Sequence, residues 1–243
     1  MFPIIPANSV VEEAGNQEGI FGFGVSPRTA ITNLVSNAGV VSSDVAGVGT
    51  ARQNLAACEY GGDKGIFGFG EPGPTGVTNL VSNTGVVASD TAAVGTARYC
   101  QAACEYGGDK GIFGFGNDGS VCDITNLVSN TGVVASDVTG VGTARQYNAG
   151  CSYGGDKGIF GFGLAASVTG VTNLVSNAGV VASDVAAVGT ARYGLSACEY
   201  GGDKGIFSFG YAQTNLVSST GVVASDVAGV GTKRYTLAAC SFN

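Results

Sequence analysis

The chain has 243 residues, of which 42 are glycine and 12% are charged, and its formal net charge is −7. An apolar fraction of 44% is enough for a packed core and argues against simple disorder. Histidine is absent, which excludes Ser-His-Asp and Cys-His catalysis, His-bearing zinc sites and His-ligated copper.

In chain order, residues 1–15 (MFPIIPANSVVEEAG) form a non-repeated arm. The arm lacks the basic segment of a secretory signal. No stretch of the chain reaches the roughly 18 unbroken apolar residues of a membrane helix. An acidic chain with 11 Lys and Arg is also a poor match for nucleic acid. The expectations are no secretory signal, no membrane insertion and no nucleic-acid partner.

From residue 16 onward the chain repeats itself. GIFGFG begins at Gly19, Gly65, Gly111 and Gly158 and returns as GIFSFG at Gly205, in steps of 46, 46, 47 and 47 residues. TNLVS recurs from Thr32, Thr78, Thr125, Thr172 and Thr214. An Arg recurs at Arg52, Arg98, Arg145, Arg192 and Arg234, and six residues after each stands Cys58, Cys104, Cys151, Cys198 or Cys240.

Each repeat reads as four short strands. In the second, RQNLAACEY (52–60) leads through GGDK to GIFGFG (65–70), a loop leads to VTNLVS (77–82), and Asn83-Thr84-Gly85 turns the chain into VVASD (86–90). The glycines of both turns supply the positive φ that reverses a strand. No window carries apolar residues at helical spacing over a helical length, so almost no helix is expected. In GIFGFG the alternation predicts both phenylalanines on one face, packing across to a neighbouring unit where small residues leave room.

Four strands in a unit of 40–50 residues predict an all-β chain: a closed five-bladed β-propeller of four antiparallel strands per blade, spanning residues 16–243. The last segment, RYTLAACSFN (234–243), is a first strand with no second strand after it. The segment NQEGIFGFG (16–24) is a second strand with no first strand before it. Their pairing in one composite blade is expected to close the ring.

The run TARYGLSACEYGGDKGIFSFG (190–210), following TNLVSNAGVVASDV (172–185), resembles a Kelch repeat. The resemblance covers residues 16–243 and implies a propeller without naming a ligand. It departs from the Kelch pattern where Gly-Phe-Gly replaces a paired glycine and where Val86, Val133 and Val180 replace the tryptophan after the third strand. The opening MFPIIPANS resembles the start of tailed-bacteriophage virion and tail-fibre proteins. That implies a virion-associated protein, with a cytoplasmic one as the other reading, and an arm used for assembly.

Variation between repeats locates the candidate site. The loops VSPRTAI (25–31), EPGPTGV (71–77), NDGSVCDI (117–124), LAASVTGV (164–171) and YAQ (211–213) share one face with the residues that follow each repeated Arg. The opposite face, with its GGDK turns, is nearly constant. Candidate ligand contacts on the variable face are Arg98, Tyr99, Tyr147, Arg192, Tyr193 and Tyr235. The recurring Asp and Arg also admit a structural reading as ion pairs or backbone caps, which is the simpler one because they recur in every unit. No unique carboxylate pair stands out, so no enzyme, cofactor or metal is expected. The expected role is a non-enzymatic recognition or structural module, binding a protein partner or a surface glycan. The alternatives are a free lectin-like propeller and a duplication-derived or consensus scaffold.

Five cysteines at one strand position are expected to be reduced and buried. Cys100 and Cys122, both in the third unit, are the pair whose placement could allow a disulfide, against the alternative that both are free thiols.

Overall fold

A computed structural model describes residues 18–25 and 27–241; the N-terminal arm lies outside the described residues. None of the described residues is helical. The strands group by repeat into antiparallel sheets. The first sheet pairs β1 (Gly19–Gly24) with β2 (Thr29–Val35). The second runs β3 (Ala56–Tyr60), β4 (Lys64–Gly68), β5 (Thr78–Val81), and the third β6 (Ala102–Tyr106), β7 (Lys110–Asn117), β8 (Val121–Val128). The fourth runs β9 (Ala149–Tyr153), β10 (Lys157–Leu164), β11 (Val168–Val175), and the fifth β12 (Ser196–Tyr200), β13 (Lys204–Ser208), β14 (Thr214–Val217).

The expected fourth strand is reduced to isolated bridges. In the second sheet Val81 bridges Val87 and Thr78 bridges Thr91. Between them the Asn79 side chain donates to the Ala88 carbonyl at 3.0 Å and to Asp90 at 2.9 Å. The asparagine amide thus satisfies a carbonyl that a regular ladder would have bonded through backbone. Asn126, Asn173 and Asn215 do the same in the later sheets.

Gly-Phe-Gly is a bulge. The register of β7 against β8 shifts between Gly114 and Gly116, and Phe115 between them has φ 65°. Phe69 and Phe162 take φ 64° and 61°. A one-residue bulge reverses the alternation of a strand. The two phenylalanines of a repeat therefore do not share a face, contrary to the alternation reading. The second Phe of one repeat meets the first Phe of the next, edge to face: Phe23 with Phe67 at 5.1 Å, Phe69 with Phe113 at 5.1 Å, Phe115 with Phe160 at 5.5 Å and Phe162 with Phe207 at 5.2 Å. The small residue expected opposite is present, since a Cβ on Gly114 would stand 2.9 Å from the Phe160 ring and one on Gly68 2.7 Å from the Phe113 ring.

The core consequently lies between successive sheets. One cluster joins Cys104, Ile112 and Phe115 of the third sheet to Phe160 and Val175 of the fourth, and another joins Cys151, Ile159 and Phe162 of the fourth to Phe207 and Val217 of the fifth. First strands of neighbouring sheets lie against each other, β3 on β6, β6 on β9 and β9 on β12.

The expected composite blade is not formed among the described residues. Residues 234–241 form no strand, and β1 pairs with β2 alone. Phe21 is 51% exposed, whereas its counterpart Phe113 is fully buried. Ser208 supplies a physical reason. It replaces the glycine found at Gly22, Gly68, Gly114 and Gly161, so its side chain stands where the next phenylalanine ring would have to pack.

All seven cysteines are free, so Cys100 and Cys122 are not bridged. The Cys100 thiol is hydrogen-bonded with Tyr147, while Cys122 lies near the Arg98 guanidinium. Of the five at the repeated position, Cys104 and Cys151 are buried and Cys58 and Cys198 are half-buried. Cys240 is exposed because its strand is not formed, which corrects the expectation of five buried thiols.

Candidate functional site

The repeated arginines enter the core rather than the surface. Arg98 and Arg192 are fully buried, with guanidinium carbons 4.1 Å and 4.0 Å from the ring centroids of Phe69 and Phe162. Arg98 Nε donates to the Phe115 carbonyl at 2.9 Å, and Arg192 Nε to that of Phe209 at 2.8 Å. Burial lowers both to about 10. Both guanidinium groups thus lie within the packing between repeats, although Arg98 Nη2 has no hydrogen-bond partner there.

The repeated aspartates join successive repeats. Asp184 accepts from the Thr143 amide at 3.0 Å, the Thr143 hydroxyl at 2.6 Å and Asn173 Nδ2 at 2.9 Å. Asp137 and Asp226 hold Thr96 and Thr190 in the same manner. These bonds hold the carboxyls below their ordinary value against an opposing desolvation. The structural reading of the recurring Asp thus fits the contacts made here.

A main-chain run carries the variable residues. The residue two after each repeated Arg is left-handed: Asn54 at φ 54°, Cys100 at 55°, Tyr147 at 53°, Gly194 at 62° and Thr236 at 51°. The last four each donate their amide to the equivalent carbonyl one repeat earlier: Cys100 to Asn54 at 2.9 Å, Tyr147 to Cys100 at 2.9 Å, Gly194 to Tyr147 at 3.0 Å and Thr236 to Gly194 at 2.7 Å. This sets the flanking side chains of successive repeats side by side.

Three of the sequence candidates converge as a result. The ring centroids of Tyr147 and Tyr193 are 6.1 Å apart, and those of Tyr193 and Tyr235 are 5.9 Å apart. Two residues that sequence reasoning missed complete the row. Tyr211 lies 5.9 Å from Tyr235, and Lys233 Nζ stands 4.1 Å over the Tyr211 ring and 5.2 Å from Tyr235. A signal for Lys233 existed, since the equivalent positions are Ala51, Ala97, Ala144 and Ala191. Tyr99 is not among these ring contacts; its backbone bridges Asn117.

Amides and a carboxylate continue the face. Gln53 and Asn54 both donate to Glu71 Oε1 at 2.7 Å, and Asn117 donates to Gln146 at 3.1 Å. The Tyr147 hydroxyl, bonded to Cys100 and then penalised by burial, is pushed up to about 12. It stays a neutral donor over the whole physiological range.

The arrangement presents half-buried and exposed aromatic rings, amide groups and the Lys233 ammonium on a surface whose backbone is held by a continuous hydrogen-bonded run. It suits stacking and hydrogen bonding to a polar ligand with apolar faces. No model of a known protein family matches this chain, and no curated protein matches it.

Proposed function

We propose that this chain is a non-enzymatic recognition module that binds a surface glycan on its variable face, through Tyr147, Tyr193, Tyr235 and Tyr211. The observation that carries the reading is the row of four tyrosines at 5.9–6.1 Å spacing, which exists only where the repeats differ from one another. Residues that depart from a structural repeat are free of its packing demands. Sugar rings have apolar C–H faces for such rings and hydroxyls for neighbouring amides. The setting we propose is a phage appendage, on the strength of the resemblance of residues 1–9.

The scaffold reading is a five-bladed, Kelch-like propeller, open at the seam between its fifth and first sheets. It is supported by the packing of the first strands on one another, β3 on β6, β6 on β9 and β9 on β12, and, after the larger effect of burial, by the influence of Glu199 on the Glu105 carboxyl and of Glu59 on that of Glu199. Sheets stacked in a straight line would hold the second and fifth about 30 Å apart at the usual 10 Å spacing. Their mutual repulsion instead fits sheets arranged about a common axis.

A glycan array probed with the purified chain and with the variant carrying Tyr147→Ala, Tyr193→Ala and Tyr235→Ala tests the function. The expected result is binding by the first and loss in the second, at equal thermal stability. Equal binding by both, or no binding by the parent chain, overturns the glycan reading.

A further inference from the structure

We infer that the saccharide bound on the tyrosine row is acidic and that Lys233 reads its anionic group, an inference that rests on the glycan reading above. Three observations carry it.

The first is the charge inventory. Lys64, Lys110, Lys157 and Lys204 each pair with the aspartate beside them in the chain. Four of the repeated arginines are buried. Among the described residues no carboxylate lies within ion-pair distance of Lys233. Of the carboxylates on the variable loops, Glu71 is engaged by Gln53 and Asn54 in the second repeat and Asp118 by Ser120 in the third. Arg28 and Arg234 are exposed as well, Arg234 being stacked on the Phe209 ring at 4.1 Å, so Lys233 is the one lysine without a counter-charge among the described residues of a chain of net charge −7.

The second is position. Lys233 Nζ stands over the Tyr211 ring, and the side chain is hydrogen-bonded with Tyr235. An ammonium carries three donors, so further donors remain for a ligand. The cation–π contacts fix the charge beside the stacking surface, which limits the ordering cost of using it.

The third is access. The β7–β8 and β10–β11 hairpins continue past their bulges to Asn117 and Val121, and to Leu164 and Val168. In the fifth sheet the strands stop at Ser208 and resume at Thr214. The shorter hairpin tip brings Tyr211 to Lys233 in the segment where the longer hairpins continue as strand. Chemistry then sets the ligand class. A ring stacked on tyrosine places a carboxylate or sulfate substituent within reach of Nζ, and a neutral sugar leaves the ammonium without a partner.

Affinities are measured at low salt for one neutral oligosaccharide drawn from the array hits, for its carboxylate-bearing counterpart and for its sulfated counterpart. The parent chain is expected to favour at least one acidic form by about tenfold, the effect of one charge-assisted hydrogen bond. The Lys233→Ala variant should lose that preference, the ratio of acidic to neutral affinity falling to about one, while Lys233→Arg keeps it. Which acidic form gains identifies the anionic group. Equal binding of neutral and acidic forms by the parent overturns the inference and leaves the glycan reading standing. So does a Lys233→Ala variant that keeps the acidic preference, or one that weakens all forms alike. Binding to no form overturns the glycan reading and this inference with it.

Discussion

The interface between the third and fourth sheets and the outward faces of the fifth and first, which would meet at the seam of the proposed ring, use the same residue types and end in opposite states. At the first, Phe115 meets Phe160, Arg145 caps Phe115 at 3.8 Å, and Thr143 is clasped by Asp184. At the seam Phe21 is exposed, Asp44 accepts from Asn33 of its own repeat, and a Cβ on Gly39 or Gly231 would meet nothing within 4 Å. Phe209 keeps its arginine, with Arg234 4.1 Å away, but gains no partner ring among the described residues. Repetition in sequence therefore does not guarantee repetition in energy. One methylene and one hydroxyl, in Ser208, distinguish the receiving face at the seam from that of Gly114.

The largest contrast is expected from the phenylalanines. Phe113→Ala should cost about 3–5 kcal/mol of unfolding free energy, whereas Phe21→Ala should fall within about 0.5 kcal/mol of the parent. Chemical denaturation measures both, and comparable losses would mean that the seam is packed in solution. The glycine position gives the next contrast. Gly114→Ser forces a side chain against the Phe160 ring and should cost about 1–3 kcal/mol. Ser208→Gly should cost little, and a gain in stability would mean that removing the side chain lets Phe21 dock.

A smaller effect follows from pH. Burial, then Glu59, Glu199 and Asp109, raise Glu105 from its ordinary 4.5 to about 7. The folded chain thus binds an extra proton between those values, and stability should fall as pH rises across the window. Glu105→Gln should flatten that fall in a series of melting temperatures. Below it the slope reverses, because Asp137 and Asp184 titrate below their ordinary 3.8 and lose stabilising bonds when protonated. The smallest effect is chemical: alkylation without reductant should label all seven thiols in denaturant, and in the native chain Cys240 should react first.

Much of this architecture was legible because turns and repeats are local. The GGDK and Asn-x-Gly turns, the strands around GIF and TNLV, and the near absence of helix all appear where the pattern put them. The candidate tyrosines were legible for a related reason: residues 99, 147, 193 and 235 fall at positions that vary between repeats beside the constant Arg. Arg98 and Arg192 break nothing, and they turned out to belong to the packing that the repeat encodes. Tyr211 was hidden by the shortness of its loop, which carries no pattern to break.

Composition and periodicity determined that this chain folds into small antiparallel sheets, one per repeat, with turns at set intervals. Those properties follow from backbone alternation and glycine placement within about 20 residues. Tertiary structure decided which neighbour each phenylalanine meets, because a single left-handed residue in Gly-Phe-Gly inverts the alternation that the pattern implies. It decided that four of the repeated arginines are core and that residues 234–241 form no strand, since both depend on whether a neighbouring surface has room. It also brought Lys233 over Tyr211, residues 22 apart in the chain, through contacts that no local spacing specifies.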